Sequence, residues 1–231
     1  QVAMRELERN TRDIQEGIMS IRMLPMSFVF NRFPRVVRDL STKLHKQVEL
    51  KIEGGHTEID KGLIEKLVDP LTHLVRNSLD HGIESPEVRK AKGKPASGTI
   101  VLKAEQKGGN IMISVIDDGA GLNRQKIIAK ARERGLSVSD QAADAEIWDL
   151  IMAPGFSTAD QVTDVSGRGV GMDVVKRNIE SMGGKIEISS VAGAGSTLQI
   201  RLPLTLANLD GMSVAGGDQV YINPFVNIIE S

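Results

Sequence analysis

The turns constrain this chain more than any other feature. Glycines stand paired or at alternate positions at 108–109, 119 and 121, 167 to 171, 183–184 and 193–195, and most of the 23 glycines lie between 108 and 217. Glycine at that density marks reversals, or backbone that must approach something closely. The segments between the clusters change period. Residues 99–105 and 110–117 alternate as strands around Lys107-Gly108-Gly109-Asn110, a hairpin signal. Residues 123–134 read as helix with Gly135 as its stop, and 171–182 as helix closed by Gly183-Gly184. Strands 185–190 and 197–202 form a second hairpin around Gly193 and Gly195. Antiparallel hairpins alternating with helices imply an α+β domain, a two-layer α/β sandwich with helices on one face of a mixed sheet.

The first half fits the same plan. Leu7, Ile14 and Ile21 recur every seven residues, so 1–24 reads as a helix that packs on another helix, ended or kinked at Pro25. A second helical pattern over 26–46 carries Phe28, Phe30, Phe33, Val36, Val37 and Leu40, with Arg32, Arg35, Arg38, Lys43 and Lys46 on a solvated basic face. Val48, Leu50 and Ile52 alternate as a strand ended by Gly54-Gly55. Residues 64–82 are helical, with Asp69 placed to cap a helix restarting at Pro70. Residues 84–98 read as a charged loop with a short helix after Pro86, and an acidic stretch at 140–164 holds a short helix around 147–152. After Leu204 the pattern changes to short β pieces at 212–215 and 219–222, so a boundary falls near 204. Both ends read as cut from a longer protein.

Composition removes whole classes of function. The 231 residues balance 29 Lys and Arg against 30 Asp and Glu, which gives no electrostatic case for nucleic acid or anionic lipid. Aromatics are only 3%, too few for base-stacking platforms. No cysteine is present, so thiol nucleophiles, disulfides and thiolate metal sites are out. No apolar run reaches the length of a membrane span.

Four segments could carry chemistry. With His73 at 0° and about 100° per residue, Asn77 falls near 40°, Asp80 near 340° and His81 near 80°, while Leu71, Leu74, Val75, Ser78 and Leu79 occupy the opposite face. The polar stripe holds metal and phosphate partners, although most amphipathic helices show a solvent-facing polar stripe. Asp117-Asp118-Gly119-Ala120-Gly121 follows a strand, which places a carboxylate at a sheet edge beside unobstructed backbone; a plain tight turn uses the same residues. Gly167-Arg168-Gly169-Val170-Gly171-Met172 opens a helix, where bare N–H groups and the dipole make a phosphate cradle. It is neither a Rossmann fingerprint nor a P-loop. Gly193-Ala194-Gly195-Ser196-Thr197 is, by itself, a hairpin loop.

In this order the segments resemble the nucleotide-binding signature of the GHKL ATPase superfamily, with its Bergerat fold. The Asn77 helix is similar to the N box, Asp117–Gly121 to the G1 box, Pro154-Gly155-Phe156-Ser157 to the F box, Gly167–Gly171 to the G2 box and Gly195-Ser196-Thr197 to the terminal Gly-Thr segment. The wording of 73–84, 154–158 and 165–175 resembles the chemotaxis histidine kinases. The resemblance implies a division into part of a dimerisation helix (1–24), an ATP-binding catalytic domain (25–204) and the start of an SH3-like regulatory domain (205–231). Asn208 and Asn223 stand where apolar residues are expected in the last.

The resemblance also implies roles. Asp117 accepts from the adenine amino group, which favours ATP over GTP. Asn77 ligates Mg²⁺, and His73 positions metal or phosphates or accepts a proton. Asp80 and His81 line the phosphate side. Gly167, Arg168, Gly169, Val170, Gly171 and Met172 cradle the phosphates. Gly119 and Gly121 give clearance beside the adenine, and Thr197 holds it through Asp117 or water. Residues 136–166 form a lid hinged at Gly135 and Gly155. The implied partners are a separate phosphotransfer domain carrying the acceptor histidine, the adaptor CheW, chemoreceptors and a second copy of the full-length chain. The implied location is the cytoplasm. Two rivals remain: an ATPase that hydrolyses ATP to drive a clamp, which would want Glu at position 73, and a nucleotide-sensing scaffold.

Overall fold

A computed structural model describes residues 22–156 and 171–204. Seven strands and seven α-helices occur among them, in the order β1 (Met23–Pro25), α1 (Ser27–Phe30), α2 (Phe33–Leu44), β2 (Val48–Glu53), β3 (Glu58–Asp60), α3 (Lys61–Asn77), α4 (Pro86–Ala91), β4 (Gly98–Lys107), β5 (Asn110–Asp117), α5 (Arg124–Glu133), α6 (Asp144–Asp149), α7 (Met172–Ser181), β6 (Lys185–Val191) and β7 (Gly195–Pro203). A π-helical turn, Ser78–Gly82, follows α3, and a 3₁₀ turn, Leu150–Met152, follows α6.

The main sheet runs β2-β4-β5-β7-β6, with β2 parallel to β4 and every other pair antiparallel. Register shows which residues share a face. Leu102 pairs with Val115, Val115 with Leu198 and Leu198 with Ile188. With Ile100, Ala104, Ile113, Ile186, Ile200 and Leu202 they form the inner face, onto which Leu67, Leu71, Leu74, Val75, Ile128, Val175 and Ile179 of the helices pack in one core. The opposite face is half-exposed at Val101, Ile116, Thr197 and Gln199. The domain is thus the expected α+β two-layer sandwich on a mixed sheet.

Local signals account for most boundaries. Gly108-Gly109 makes the two-residue β4–β5 turn, with Gly108 left-handed at φ 59°. Asn123 caps α5 through Lys126 N–H at 3.0 Å, and Gly135 ends it at φ 83°.

Four readings need correction. Met23–Pro25 is not helical but a strand paired with Glu58–Asp60; the rest of the helix expected over 1–24 lies outside the described residues, as do the β pieces after 204. Asp69 does not restart a helix. Asp60 caps α3 by accepting from Gly62 N–H at 3.1 Å, and the helix runs straight through Pro70, whose buried ring is held by the core. Phe28 is 59% exposed rather than part of the apolar stripe. Lys46 does not sit on a solvated face: its Nζ donates to the carbonyls of Leu79 (2.6 Å) and Asp80 (2.9 Å), and burial lowers its pKa against the opposing pull of the Asp80 and Glu84 charges.

Candidate functional site

Three elements converge at one end of the inner face. The first is α3. Leu71, Leu74 and Val75 anchor it in the core, so the half-buried stripe of His73 and Asn77 is turned away from the sheet. Asn77 Nδ2 donates to Met172 Sδ at 3.3 Å. Met172 opens α7, and Gly171 precedes it with extended backbone and no side-chain cap. A helix start carries unpaired N–H groups and a positive dipole end, which suit an anion, and here it lies beside Asn77.

The second element is the π turn. It widens the helix after Asn77, so the angles expected for Asp80 and His81 do not hold. Both are exposed, 3.6 Å apart, and Asp80 lies near Lys46. The turn instead delivers Ser78 and Gly82 to the sheet edge. The Gly82 carbonyl accepts from Ala120 N–H at 2.9 Å, which locks the helix end to the loop after β5.

The third element is that loop. Asp117 is the last residue of β5, and its parity puts it on the inner face in line with Ile113 and Val115. A carboxylate thus ends an apolar row, 5% exposed. Burial pushes its pKa up, aided by the Asp118 charge, while the Gly119 N–H (2.9 Å from Oδ1), the Ser78 hydroxyl and the Ser196 N–H hold it down. The Ser78 hydroxyl is enclosed beside this carboxylate without meeting hydrogen-bonding geometry to any described group.

The glycines here are sterically required. A methyl group on Gly119 would stand 2.0 Å from the Gly82 carbonyl oxygen. Gly121 adopts φ 76°, with Val191 O 2.5 Å from where its Cβ would be. Gly195 adopts φ 123°, against Asp117 O at 1.9 Å.

Thr197, expected to hold the adenine through Asp117 or a water, pairs with Ile116 and belongs to the outer face, opposite to the face that carries Asp117. Ser196 is the residue opposite Asp117, and its hydroxyl lies 3.0 Å from that of Ser190. Gly167, Arg168, Gly169 and Val170 lie outside the described residues, as does 157–166 of the expected lid. Phe156 of the F box is 6% exposed in the core, beneath Lys130 Nζ at 4.8 Å from its ring.

Among the described residues, no group of three or more His, Cys, Asp or Glu could hold a metal alone. A hard cation here would need oxygens from a ligand and water, which is how Mg²⁺ is commonly bound. Asn77 fits that role, because Met172 occupies its amide nitrogen and leaves Oδ1 for the cation. His73 fits less well, since Mg²⁺ prefers oxygen ligands.

Residues 66–206 match the family described as histidine kinase-, DNA gyrase B- and HSP90-like ATPases. The chain belongs to that ATPase family. Its relatives narrow the comparison. The chain is 64% identical to the chemotaxis protein CheA of Klebsiella aerogenes over 99% of its own length and 35% of the relative's. It is 62% identical to CheA of Salmonella typhimurium over 99% of its length and 34% of that protein's, and 50% identical to CheA of Bacillus subtilis over 97% and 34%. It therefore spans about a third of the curated relatives it matches. Among solved structures, the nucleotide-free catalytic domain of the histidine kinase ThkA shares the fold at a TM-score of 0.53 and 15% identity, covering 81% of this chain and 98% of that one. No described helix is long and apolar enough to cross a membrane.

Sequence alone assigns no role to Gly82, Ser78 or Ser196, and reads 84–98 as a charged loop with a short helix after Pro86. Gly82 directly follows the polar stripe, which was the available clue. Helical spacing puts Ser78 on the apolar face, and a hydroxyl buried there is the signal.

Proposed function

We propose that this chain is the ATP-binding catalytic part of a cytoplasmic chemotaxis histidine kinase, which transfers the γ-phosphoryl group of ATP to a histidine on a separate phosphotransfer domain. One observation carries the reading: a buried carboxylate, Asp117, ends the inner face of the sheet beside the meeting point of Asn77 and the start of α7. The likeness to CheA over almost the whole chain supports the kinase class and, with it, CheW and chemoreceptors as partners of the complete, dimeric protein.

The residues divide the work. Asp117 accepts a hydrogen bond from the adenine amino group, and Gly119 N–H holds the carboxylate in place. Guanine presents a carbonyl there, so acceptor would face acceptor. Gly82, Gly119 and Gly121 let the end of α3, the loop after β5 and the end of β6 close tightly around Asp117, which fixes where the base-binding carboxylate stands. Asn77 Oδ1 would hold Mg²⁺, and the N–H groups from Gly171 onward, with Gly167 and Gly169, would receive phosphate oxygens. Mg²⁺ when bound neutralises phosphate charge, which with positioning is most of what phosphoryl transfer requires. His73 stands where a hydrolase would place a water-activating carboxylate, which favours transfer over hydrolysis.

The test is phosphotransfer in trans. The chain, MgATP and a separately supplied phosphotransfer domain should yield acid-labile phosphohistidine on that domain. Hydrolysis without labelling, or binding without either, would replace the kinase reading by one of its rivals.

A further inference from the structure

Arg89 is the largest fully enclosed side chain among the described residues, at 1% exposure, in a stretch whose charges would ordinarily face solvent. A buried guanidinium costs several kcal/mol unless its donors are satisfied, and an apolar plug of equal volume is often as stabilising. Here Nε donates to Pro95 O at 2.7 Å, Nη1 to Glu84 Oε1 at 2.8 Å and to Asp118 O at 3.1 Å, and Nη2 to Asp118 Oδ2 at 3.2 Å. Lys94 Nζ adds bonds to Glu84 Oε2 (2.8 Å), Asp118 O (3.2 Å) and Gly119 O (2.8 Å). The far side of Asp118 is tied to β4, where Oδ1 accepts from Thr99 N–H at 2.8 Å. Against the cost of burial, hydrogen bonds from Lys94 and Lys92 hold the Glu84 pKa down at about 2, so Glu84 stays ionised at neutral pH.

The contacts converge on one peptide group. The Asp118 carbonyl receives both Arg89 and Lys94, and the N–H of the same planar unit belongs to Gly119. In a trans peptide the C=O and N–H point in opposite directions. Gripping the oxygen therefore aims the N–H, and that N–H is the donor that orients Asp117 Oδ1 at 2.9 Å.

We propose that Arg89, Glu84 and Lys94 are positioning residues for purine selection, setting the plane of the Asp118–Gly119 peptide and through it the aim of the Asp117 carboxylate. The proposal rests on the reading of Asp117 as the adenine acceptor.

Removing Arg89 could unfold the region, so the experiment uses Lys94, whose side chain is 18% exposed. Equilibrium affinities for non-hydrolysable ATP and GTP analogues are measured for the wild type, Lys94→Met and Lys94→Arg, each with a thermal melt. Lys94→Met should lose about tenfold in ATP-analogue affinity, the scale of one charge-assisted hydrogen bond, with GTP-analogue affinity unchanged. Lys94→Arg should recover most of the preference. A merely structural lysine would lower the melting temperature and leave the ATP-to-GTP ratio where it was; that outcome overturns the proposal. A wild type without preference for ATP would instead sink the reading of Asp117.

Discussion

Gly82 abuts Asp117 so closely that a methyl group on its α-carbon would stand 3.1 Å from Oδ2 and 3.2 Å from Cγ. The neighbour in this contact is the carboxylate proposed to choose the base. Gly82→Ala should push that carboxylate by a few tenths of an ångström and weaken ATP binding by about tenfold, with a small change in melting temperature. Gly119→Ala is a different case. Its methyl would meet the Gly82 carbonyl oxygen at 2.0 Å, so backbone must move. That variant should lose about 1–3 kcal/mol of stability, as overpacking does, together with binding. Calorimetric titration beside thermal melts separates the two.

Asp117 trades stability for binding. Its folded pKa is raised, mainly by burial, so the ionised form is disfavoured in the fold and stability falls as pH rises from its unfolded to its folded value. Asp117→Asn should therefore melt higher at neutral pH without ligand, by roughly 2–4 °C for each ~1 kcal/mol gained. Its ATP affinity should drop by about 10- to 150-fold, the worth of a hydrogen bond to a charged acceptor. An Asn variant that melts lower and still binds would contradict both halves.

The register of β7 separates two adjacent hydroxyls. Ser196 pairs with Asp117, and Thr197 with Ile116 on the other face. Ser196→Ala should weaken ATP-analogue binding by about 3- to 10-fold, a typical neutral hydrogen bond. Thr197→Val should leave it within about twofold. The reverse ranking in a titration would mean that β7 is shifted by one residue.

His45 ends α2 at φ 57°, the lone non-glycine residue with positive φ among those described. A left-handed C-cap suits glycine, because a Cβ is penalised there by roughly 1–2 kcal/mol. Its N–H already bonds Thr42 O, a contact that glycine keeps. Part of the gain is lost to the greater freedom of glycine in the unfolded chain. His45→Gly should stabilise by about 0.5–1 kcal/mol in urea denaturation, with ATP affinity unchanged.

Glu84 should leave a mark on acid unfolding. Its folded pKa of about 2 lies below the ordinary 4.5. The stability it contributes is complete above pH 4.5 and is lost as pH falls toward 2. Glu84→Gln should remove that part of the pH dependence of the melting temperature and lower the neutral-pH value, because Arg89 loses a charged partner in a closed site.

Local chemistry made much of this protein readable before any coordinates. Period-two runs with Gly108-Gly109 between them specify the β4–β5 hairpin, because strand parity and turn conformation are properties of neighbouring residues. The same parity places Asp117 on the inner face once β5 is assigned. The stripe of His73 and Asn77 follows from helical spacing alone. The glycine motifs, taken in order, pointed to the ATPase family that the comparison bears out.

What stayed hidden depends on partners distant along the chain. The widening of α3 into a π turn occurs where Lys46 satisfies two of its carbonyls, and a lysine 33 residues before Leu79 announces nothing about that. The choice between Ser196 and Thr197 is a matter of register, and slipping one residue exchanges faces. The burial of Arg89 needed the loop after β5 to close over it. Short-range preferences are written into each segment, whereas pairing, enclosure and the strength of charges in a closed space exist only after the segments meet.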